Sequence, residues 1–477
     1  MVINFGTDGW RAIIADQFTF ENVAICTNAT LDYLKQNGLN NNGIAIGYDT
    51  RFHSDKFAKL VATLASNSNF KTFLFDRPSP TPVLSHYVVS NHLDAGIMIT
   101  ASHNPSDWNG FKIKTNLGSS APQSMIEKIQ ERIDKLVETN TKFPTSINLT
   151  NNLIKLINPE IQYIEHINSI IDLDIIKSTN LKVIVDSMYG SGQGYFKKLL
   201  SGGNIKLIEL NGTENPAFPN IKQPEPTEEN LKTLSEFIKS NNASIGLATD
   251  GDADRLGIVD SNGEFISALD LFMLLCFHQL DILGKKGHII RSITMTSKID
   301  ELAKLYGVST IITPIGFKYL APKMIESNAL IAGEESGGYA YGFHIPERDG
   351  ILSGLMILDL IVKSQKNVDE LINILHSKVT PLIYERKDIH IDPSEKQKFA
   401  PDVLKQSTPK SIANLEVINV ETLDGIRYQL ENNSWGLIRC SGTEPLVRIY
   451  AEATCLLYTS DAADERSSVD LGGRRII

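Results

Sequence analysis

The chain has 477 residues, 42% of them hydrophobic and 21% charged, with a formal net charge of −10. That length exceeds one compact core and calls for three or four domains, while the acidic balance argues against a nucleic-acid partner or an anionic membrane surface, which need a broad basic face. Cys26, Cys276, Cys440 and Cys455 lack CxxC spacing, which argues against a disulfide frame or a zinc site and points to a reducing cytoplasm; residues 271–277, the densest apolar run, are too few to span a bilayer, and residues 1–6 have no basic head or apolar h-region.

Residues 1–145 alternate between helical and strand spacing: helix over 20–34, strand over 43–48, helix over 57–65, strand over 71–75, and a helix whose first turn suits Pro82. A buried strand over 95–99 and an alternating strand over 111–114 complete an α/β domain. Residues 140–152 are polar and read as a linker. A second α/β block, 153–260, alternates helices near 161–171, 194–200 and 230–240 with strands 181–186, 205–210 and 244–249. Within it Gly190-Ser191-Gly192-Gln193-Gly194 falls one residue short of a dinucleotide fingerprint, and the Pro-rich run 215–227 reads as an ordered surface loop. No G-x-x-x-x-G-K-[ST] occurs, which argues against a P-loop NTPase. A third block, 261–378, has strands near 289, 310 and 330. From 382 to 454 short strands (417–420, 428–430, 437–439, 447–450) read as a smaller α+β domain.

Four stretches carry chemistry. Thr100-Ala101-Ser102-His103-Asn104-Pro105 follows the 95–99 strand, so Ser102 sits in a loop past a strand end, where open α/β sheets bind ligands, with His103 beside it and Lys112 returning nearby. Thr249-Asp250-Gly251-Asp252-Ala253-Asp254-Arg255 sets three carboxylates at alternate positions between two apolar strands, where they repel one another unless a cation intervenes. It is not an EF-hand, because Arg255 and Ser261 stand where Gly and Glu are needed; Mg²⁺, commonly held by carboxylates and a phosphate oxygen, is the simplest remedy. Gly333-Glu334-Glu335-Ser336-Gly337-Gly338 offers acceptors and a donor suited to sugar hydroxyls, and His344 and Arg348 beyond it add cationic donors. Arg439-Cys440-Ser441-Gly442-Thr443-Glu444-Pro445, with Arg448 behind it, places a guanidinium, hydroxyls and backbone N–H groups as a phosphate nest.

In this order, one to each domain-sized block, the four stretches resemble the loops of the α-D-phosphohexomutase family, from Gly6-Thr7-Asp8-Gly9-Trp10-Arg11 to about residue 453. The resemblance implies a heart-shaped molecule of three similar α/β domains with mixed sheets and a smaller C-terminal α+β domain. It implies a phosphoglucomutase or phosphomannomutase that interconverts hexose 1- and 6-phosphates through phosphoserine and a hexose 1,6-bisphosphate, the bisphosphate also acting as activator. By the same resemblance Ser102 carries the phosphoryl group, and Asp250, Asp252 and Asp254 hold Mg²⁺ against it, with Ser102 counted among the ligands through that phosphate. Arg11, His103, Lys112 and Arg255 surround it, with Lys112 suited to proton transfer. Glu334 and Ser336 read sugar hydroxyls, Thr313, Gly316 and Lys318 form a substrate loop, and Arg439, Ser441, Gly442 and Thr443 clamp the distal phosphate. The partner is a phosphosugar, with the chain a monomer or homodimer. Ala12 stands where the family often has Gly. Residues 455–477 show no apolar helical stripe where family members continue into a helix, and read as a non-native tail. The alternatives are a phosphatase, a phosphosugar-binding protein inactivated by that tail, and a phosphoglucosamine mutase, although those usually carry Gly-Glu-x-Ser-Gly-His where Gly338 stands here.

Overall fold

A computed structural model describes residues 3–6, 8–440 and 446–454; Ser441, Gly442, Thr443 and the tail 455–477 lie outside the described residues. The chain forms two compact units, one of residues 1–290 and 316–372 and the other of residues 291–315 and 373–477.

The first sheet of the larger unit has six strands, β1 (Trp10–Ile13), β2 (Ile44–Tyr48), β3 (Thr72–Phe75), β4 (Ala95–Ile99), β5 (Trp108–Thr115) and β6 (Ile154–Ile157), in the order β1-β5-β4-β2-β3-β6. β2 pairs in parallel with β3 and β4, while β5 runs antiparallel to β4 and β1, so the sheet is mixed. All five residues of β2 and of β4 are buried, which is why both read as unbroken apolar runs rather than alternations. The helices Phe20–Gln36, Ser54–Asn67 and Thr81–Ser90 follow the expected pattern, the first capped by the Thr19 side chain, the third with Pro82 in its first turn. The sequence reading missed β1, β6 and the helix Gln123–Glu138, although that helix buries Met125, Ile126, Ile129 and Ile133 at helical spacing.

The second sheet joins β7 (Lys182–Asp186), β8 (Lys206–Leu210), β9 (Ile245–Thr249), β10 (Leu256–Val259) and β11 (Phe265–Ile266) in the order β11-β10-β9-β7-β8. β9 and β10 are an antiparallel pair with Thr249 opposite Leu256, so residues 250–255 form the loop of that hairpin. The glycine run beside β7 supports this loop. A Cβ on Gly190 would stand 2.8 Å from the Gly251 carbonyl oxygen, and one on Gly192 would stand 2.7 Å from Thr249 Oγ1. Close backbone approach to the Asp loop thus accounts for the glycines that mimic a nucleotide fingerprint.

Further along the same unit, a hairpin of Ile331–Gly333 and Tyr339–Tyr341 is followed by the helix Gly350–Ser364, whose N-cap Asp349 accepts from Leu352 N. The Gly350 N–H donates to the Ala253 carbonyl at 3.1 Å, which sets the start of this helix on the Asp loop. In the smaller unit, Ile383–His390, Leu446–Ala453, Trp435–Cys440, Ile426–Leu430, Leu415–Glu421 and Ser411–Ile412 form an antiparallel sheet in that order. Ile426, Tyr428, Ile438, Val447 and Ile449 build its core. The Glu452 carboxylate is buried there, accepting from Trp435 Nε1 (2.7 Å), Ser297 N and Ser297 Oγ. No described helix is long and apolar enough to cross a membrane, and Cys26, Cys276 and Cys440 are unpaired thiols.

The candidate active site

Ser102 lies in the turn after β4, fully buried, with φ at +54°. Its N–H donates to Thr100 Oγ1 (2.8 Å), and its hydroxyl donates to Asp250 Oδ2 (2.9 Å), with His103 Nδ1 3.4 Å away. Antiparallel pairing of β5 with β4 brings Lys112 opposite Met98, at the same sheet end. Lys112 Nζ reaches Asp252 Oδ2 and Asp8 Oδ2, both at 2.8 Å, and Asp254 Oδ2 at 3.4 Å. Burial opposes the charge on this lysine, but the three carboxylates outweigh it and keep the side chain an ammonium.

The ligand oxygens of Asp250, Asp252 and Asp254 lie within 4.8 Å of one another, and all three side chains are buried. Burial, followed by the charges of Asp254 and Asp252, drives the Asp250 carboxyl well above the usual range. Burial also raises Asp254, whereas Lys112 holds Asp252 low against its own burial. Asp252 Oδ1 and Asp254 Oδ1 are buried without a hydrogen-bond partner. Hard oxygen donors, crowded like charges and two orphaned oxygens together fit a divalent cation of the Mg²⁺ type.

Arginines close the cluster. Arg255 Nη1 pairs with Glu225 Oε1 at 2.7 Å, and Arg348 Nη2 reaches Asp254 Oδ2 and Asp8 Oδ2, both at 2.7 Å. Arg11 Nη1 donates to Asn104 Oδ1 at 2.8 Å. Burial and the neighbouring Arg255 and Arg11 charges keep the His103 ring neutral. The 333–338 turn adjoins the Asp loop, since Leu256 N donates to the Gly337 carbonyl at 2.9 Å. In that turn Glu334 is buried and accepts from Gly316 N at 2.7 Å, while Ser336 is exposed at the tip. Lys318 Nζ donates to Gln123 Oε1 at 2.7 Å.

The other expected residues fall elsewhere. His344 corrects the sequence reading: its buried ring contacts His166 (2.8 Å) through Nδ1 and Asp349 (3.0 Å) through Nε2, so neither nitrogen remains for a sugar. Thr313, Arg439 and Arg448 belong to the smaller unit, where Arg439 Nε donates to Asp424 Oδ1 at 2.8 Å and Arg448 Nε lies 3.5 Å from Asp388 Oδ2. Sequence reasoning missed Asp8, Thr81 and Glu225. Thr81 donates to Asp252 Oδ2 at 2.5 Å from the start of its helix, and Asp8 sits in a turn that requires Gly9, whose φ is +89° and whose added Cβ would stand 2.5 Å from the Phe111 carbonyl oxygen. The Gly6-Thr7-Asp8-Gly9 motif was the available signal for Asp8; a lone threonine and a lone glutamate offered none.

A buried serine bonded to one of three clustered carboxylates, amid lysine and arginine, has the chemistry of a metal-assisted phosphoryl-transfer centre. Family profiles agree: phosphoglucomutase/phosphomannomutase alpha/beta/alpha domains I, II and III match residues 2–140, 161–263 and 269–378, and the C-terminal domain of the same family matches residues 401–455. The chain belongs to the α-D-phosphohexomutase family, enzymes that transfer phosphate within a sugar, with three α/β domains and a C-terminal fourth. It is 30% identical over 454 residues to a phosphoglucomutase/phosphomannomutase of Thermococcus kodakarensis, covering 94% of each chain. It is 29% identical over 461 residues to a phosphoglucosamine/phosphogalactosamine mutase of Sulfurisphaera tokodaii, covering 94% of this chain and 95% of the other. A crystal structure from Thermus thermophilus, assigned as a phosphomannomutase, superposes with a TM-score of 0.83 at 28% identity over 98% of both chains.

Proposed function

We propose that this enzyme interconverts the 1- and 6-phosphates of glucose and mannose through a phosphoryl group on Ser102 Oγ and a hexose 1,6-bisphosphate. The observation that carries this reading is the Ser102 Oγ to Asp250 Oδ2 hydrogen bond, which sets a buried hydroxyl against the carboxylate trio. In the first half-reaction the bond from Ser102 Oγ to phosphorus breaks as the free sugar hydroxyl oxygen bonds to phosphorus, and the proton that hydroxyl loses is matched by the one Ser102 Oγ gains. In the second, the other phosphate of the bisphosphate passes to Ser102 Oγ, and the proton Ser102 loses is matched by the one gained by the sugar oxygen left behind, so the cycle consumes no net proton. Lys112, held as an ammonium, is the group we assign to protonate the sugar oxygen that the phosphoryl group leaves. Asp250, Asp252 and Asp254 would hold Mg²⁺, which supplies positive charge against the transferring phosphoryl oxygens.

Arg11, His103 and Arg255 are assigned to the phosphoryl group on Ser102, with His103 Nδ1 3.4 Å from Ser102 Oγ. Glu334, with Ser336 and Gly316, reads the sugar hydroxyls alongside Thr313, Lys318 and Arg348. Arg439, Arg448, Ser441, Gly442 and Thr443 are assigned to the phosphate that is not reacting. Hexose 1,6-bisphosphate is also the activator that first loads Ser102. Gly338 stands where phosphoglucosamine mutases usually carry His, which favours glucose and mannose over the amino sugar, and an added Cβ there would stand 2.3 Å from Arg348 Cδ. Glucosamine phosphate is the second reading, because relatives as similar as the Sulfurisphaera protein carry that name.

The test is conversion of glucose, mannose and glucosamine 1-phosphates, each followed by phosphorus NMR with Mg²⁺ and a trace of the bisphosphate, beside intact-mass detection of phosphate on Ser102. Turnover of none of the three, with Ser102 never phosphorylated, overturns the reading.

A further inference from the structure

Arg51 stands outside the groups assigned above, yet it touches more of the serine loop than any of them. β2 and β4 are parallel neighbours with Tyr48 opposite Ile99, so Asp49-Thr50-Arg51 and Thr100-Ala101-Ser102 leave the sheet side by side. The Arg51 side chain is buried and its guanidinium gathers four carbonyls of the serine loop. Nη2 donates to the Ser102 carbonyl (2.7 Å) and the Asn104 carbonyl, and Nη1 donates to those of Pro105 (2.6 Å) and Trp108 (3.0 Å). Asp49 Oδ2 lies 3.2 Å from Arg51 Nε and accepts from Thr100 Oγ1 at 2.5 Å, and Thr100 Oγ1 in turn accepts the Ser102 N–H. Both backbone groups of Ser102 are therefore tied to one ion pair.

That restraint has a purpose at Ser102. A serine at φ +54° is held in a sparsely populated conformation, which persists only when its surroundings over-determine it. The restraint also reaches the Asp loop. A Cβ on Gly251 would stand 2.4 Å from the Ser102 carbonyl oxygen, so the carbonyl that Arg51 grips is packed directly on the backbone between Asp250 and Asp252. On its other side the guanidinium lies 5.0 Å from the ring of Phe218, which is buried although it belongs to the Pro-rich run of the second domain. Pro224 of that run accepts from Gly251 N at 3.1 Å, so this ordered surface loop also braces the serine loop against the Asp loop.

We infer that Arg51 is a positioning residue for phosphoryl transfer, its guanidinium fork setting Ser102 Oγ against the carboxylate trio, with Phe218 as its backing. A lysine keeps the charge but presents one compact ammonium that cannot span four carbonyls. The inference rests on the phosphoserine reading, so the wild-type chain is tested first: failure of Ser102 to take phosphate from glucose 1,6-bisphosphate there defeats that reading, whatever the variants do.

Given wild-type phosphorylation, Arg51→Lys should lower kcat about 100-fold, the scale for a reacting group displaced by an ångström. Its KM for hexose 1-phosphate should stay within about threefold, because the sugar and the distal phosphate are held by other residues. Phosphorylation of Ser102 should slow in parallel, and guanidinium ion should restore part of the activity of Arg51→Ala. If Arg51→Ala does not fold, Arg51→Lys and Phe218→Leu carry the test, with folded fraction measured by circular dichroism and rates expressed per folded molecule. A folded Arg51→Lys enzyme with wild-type kcat and wild-type Ser102 phosphorylation overturns the inference. So does a loss that disappears when divided by the folded fraction.

Discussion

Lowering the pH from 7 to 5 should destabilise the larger unit through His86, which meets two other imidazoles where helices of the first and second domains approach the Tyr341–Gly350 segment. His86 is 6% exposed, its ring lies 4.5 Å from the His166 ring at a 31° tilt, and its Nδ1 is buried without a partner. His344 Nε2 contacts Asp349 Oδ2, which also accepts from Tyr163 Oη at 2.7 Å, so that carboxylate serves His344 and Tyr163. Burial first, then the His166 and His344 charges, push His86 down to about 3, and similar causes push His166 to about 4. A histidine depressed in the fold is protonated first in the unfolded chain. Its stabilising contribution is therefore complete above about pH 6.5 and is lost progressively as pH falls toward 3. For His86 the linkage amounts to about 2 kcal/mol between pH 7 and pH 5. His166 is only partly buried and adds less, through screening. The assay is the thermal midpoint of wild type and His86→Gln at both pH values, at about 2–4 °C per kcal/mol. The wild-type decrement should exceed that of the variant by several degrees; equal decrements would refute a neutral His86 in the fold.

Asp252→Asn should abolish most of the Mg²⁺-induced rise in thermal midpoint, which at a hundredfold excess over the dissociation constant corresponds to about 2.7 kcal/mol in wild type; an unchanged rise removes Asp252 from the cation site. Lys114→Met breaks a fully buried pair with Glu347 (2.6 Å) and should cost about 3–5 kcal/mol by urea unfolding, whereas Lys114→Met with Glu347→Leu should recover most of it. Glu334→Gln can still accept from Gly316 N, so its thermal midpoint should hold while its kcat/KM ratios among glucose, mannose and glucosamine 1-phosphates shift by tenfold or more.

The architecture was legible where burial is two-sided and continuous. β4 and β9 each follow from an unbroken apolar run, and their loops could be located from the sequence before any contact was known. Elements whose reason is tertiary were not legible. β1 is four residues with the burial pattern of an edge, and it exists because Trp10 and Arg11 pair with Phe111 and Gly110 across about a hundred residues. β6 follows a polar stretch and has two exposed residues, and it is held by its pairing with β3 rather than by its own pattern. The glycine run 190–194 misled for a related reason. Glycine marks close backbone approach, and the sequence does not say whether the approaching group is a phosphate or, as here, another loop of the same chain.

The site followed the same division. Motif residues could be read because they cluster in sequence: Ser102 with His103, and three aspartates within five positions. Their partners could not, because charge balance in a buried cluster is a property of the assembled fold. Asp8 meets Arg348 across 340 positions, and Lys112 meets Asp252 across 140. One rule would have reached further. Polar residues just past the C-terminal ends of β4 and β9 form the site, and ligands in open α/β sheets bind at such ends. β2 is the parallel neighbour of β4 and ends in Asp49-Thr50-Arg51, so the same rule applied to every strand of the first sheet points to Arg51 without any motif. Its guanidinium holds the carbonyl side of the loop whose hydroxyl meets Asp250.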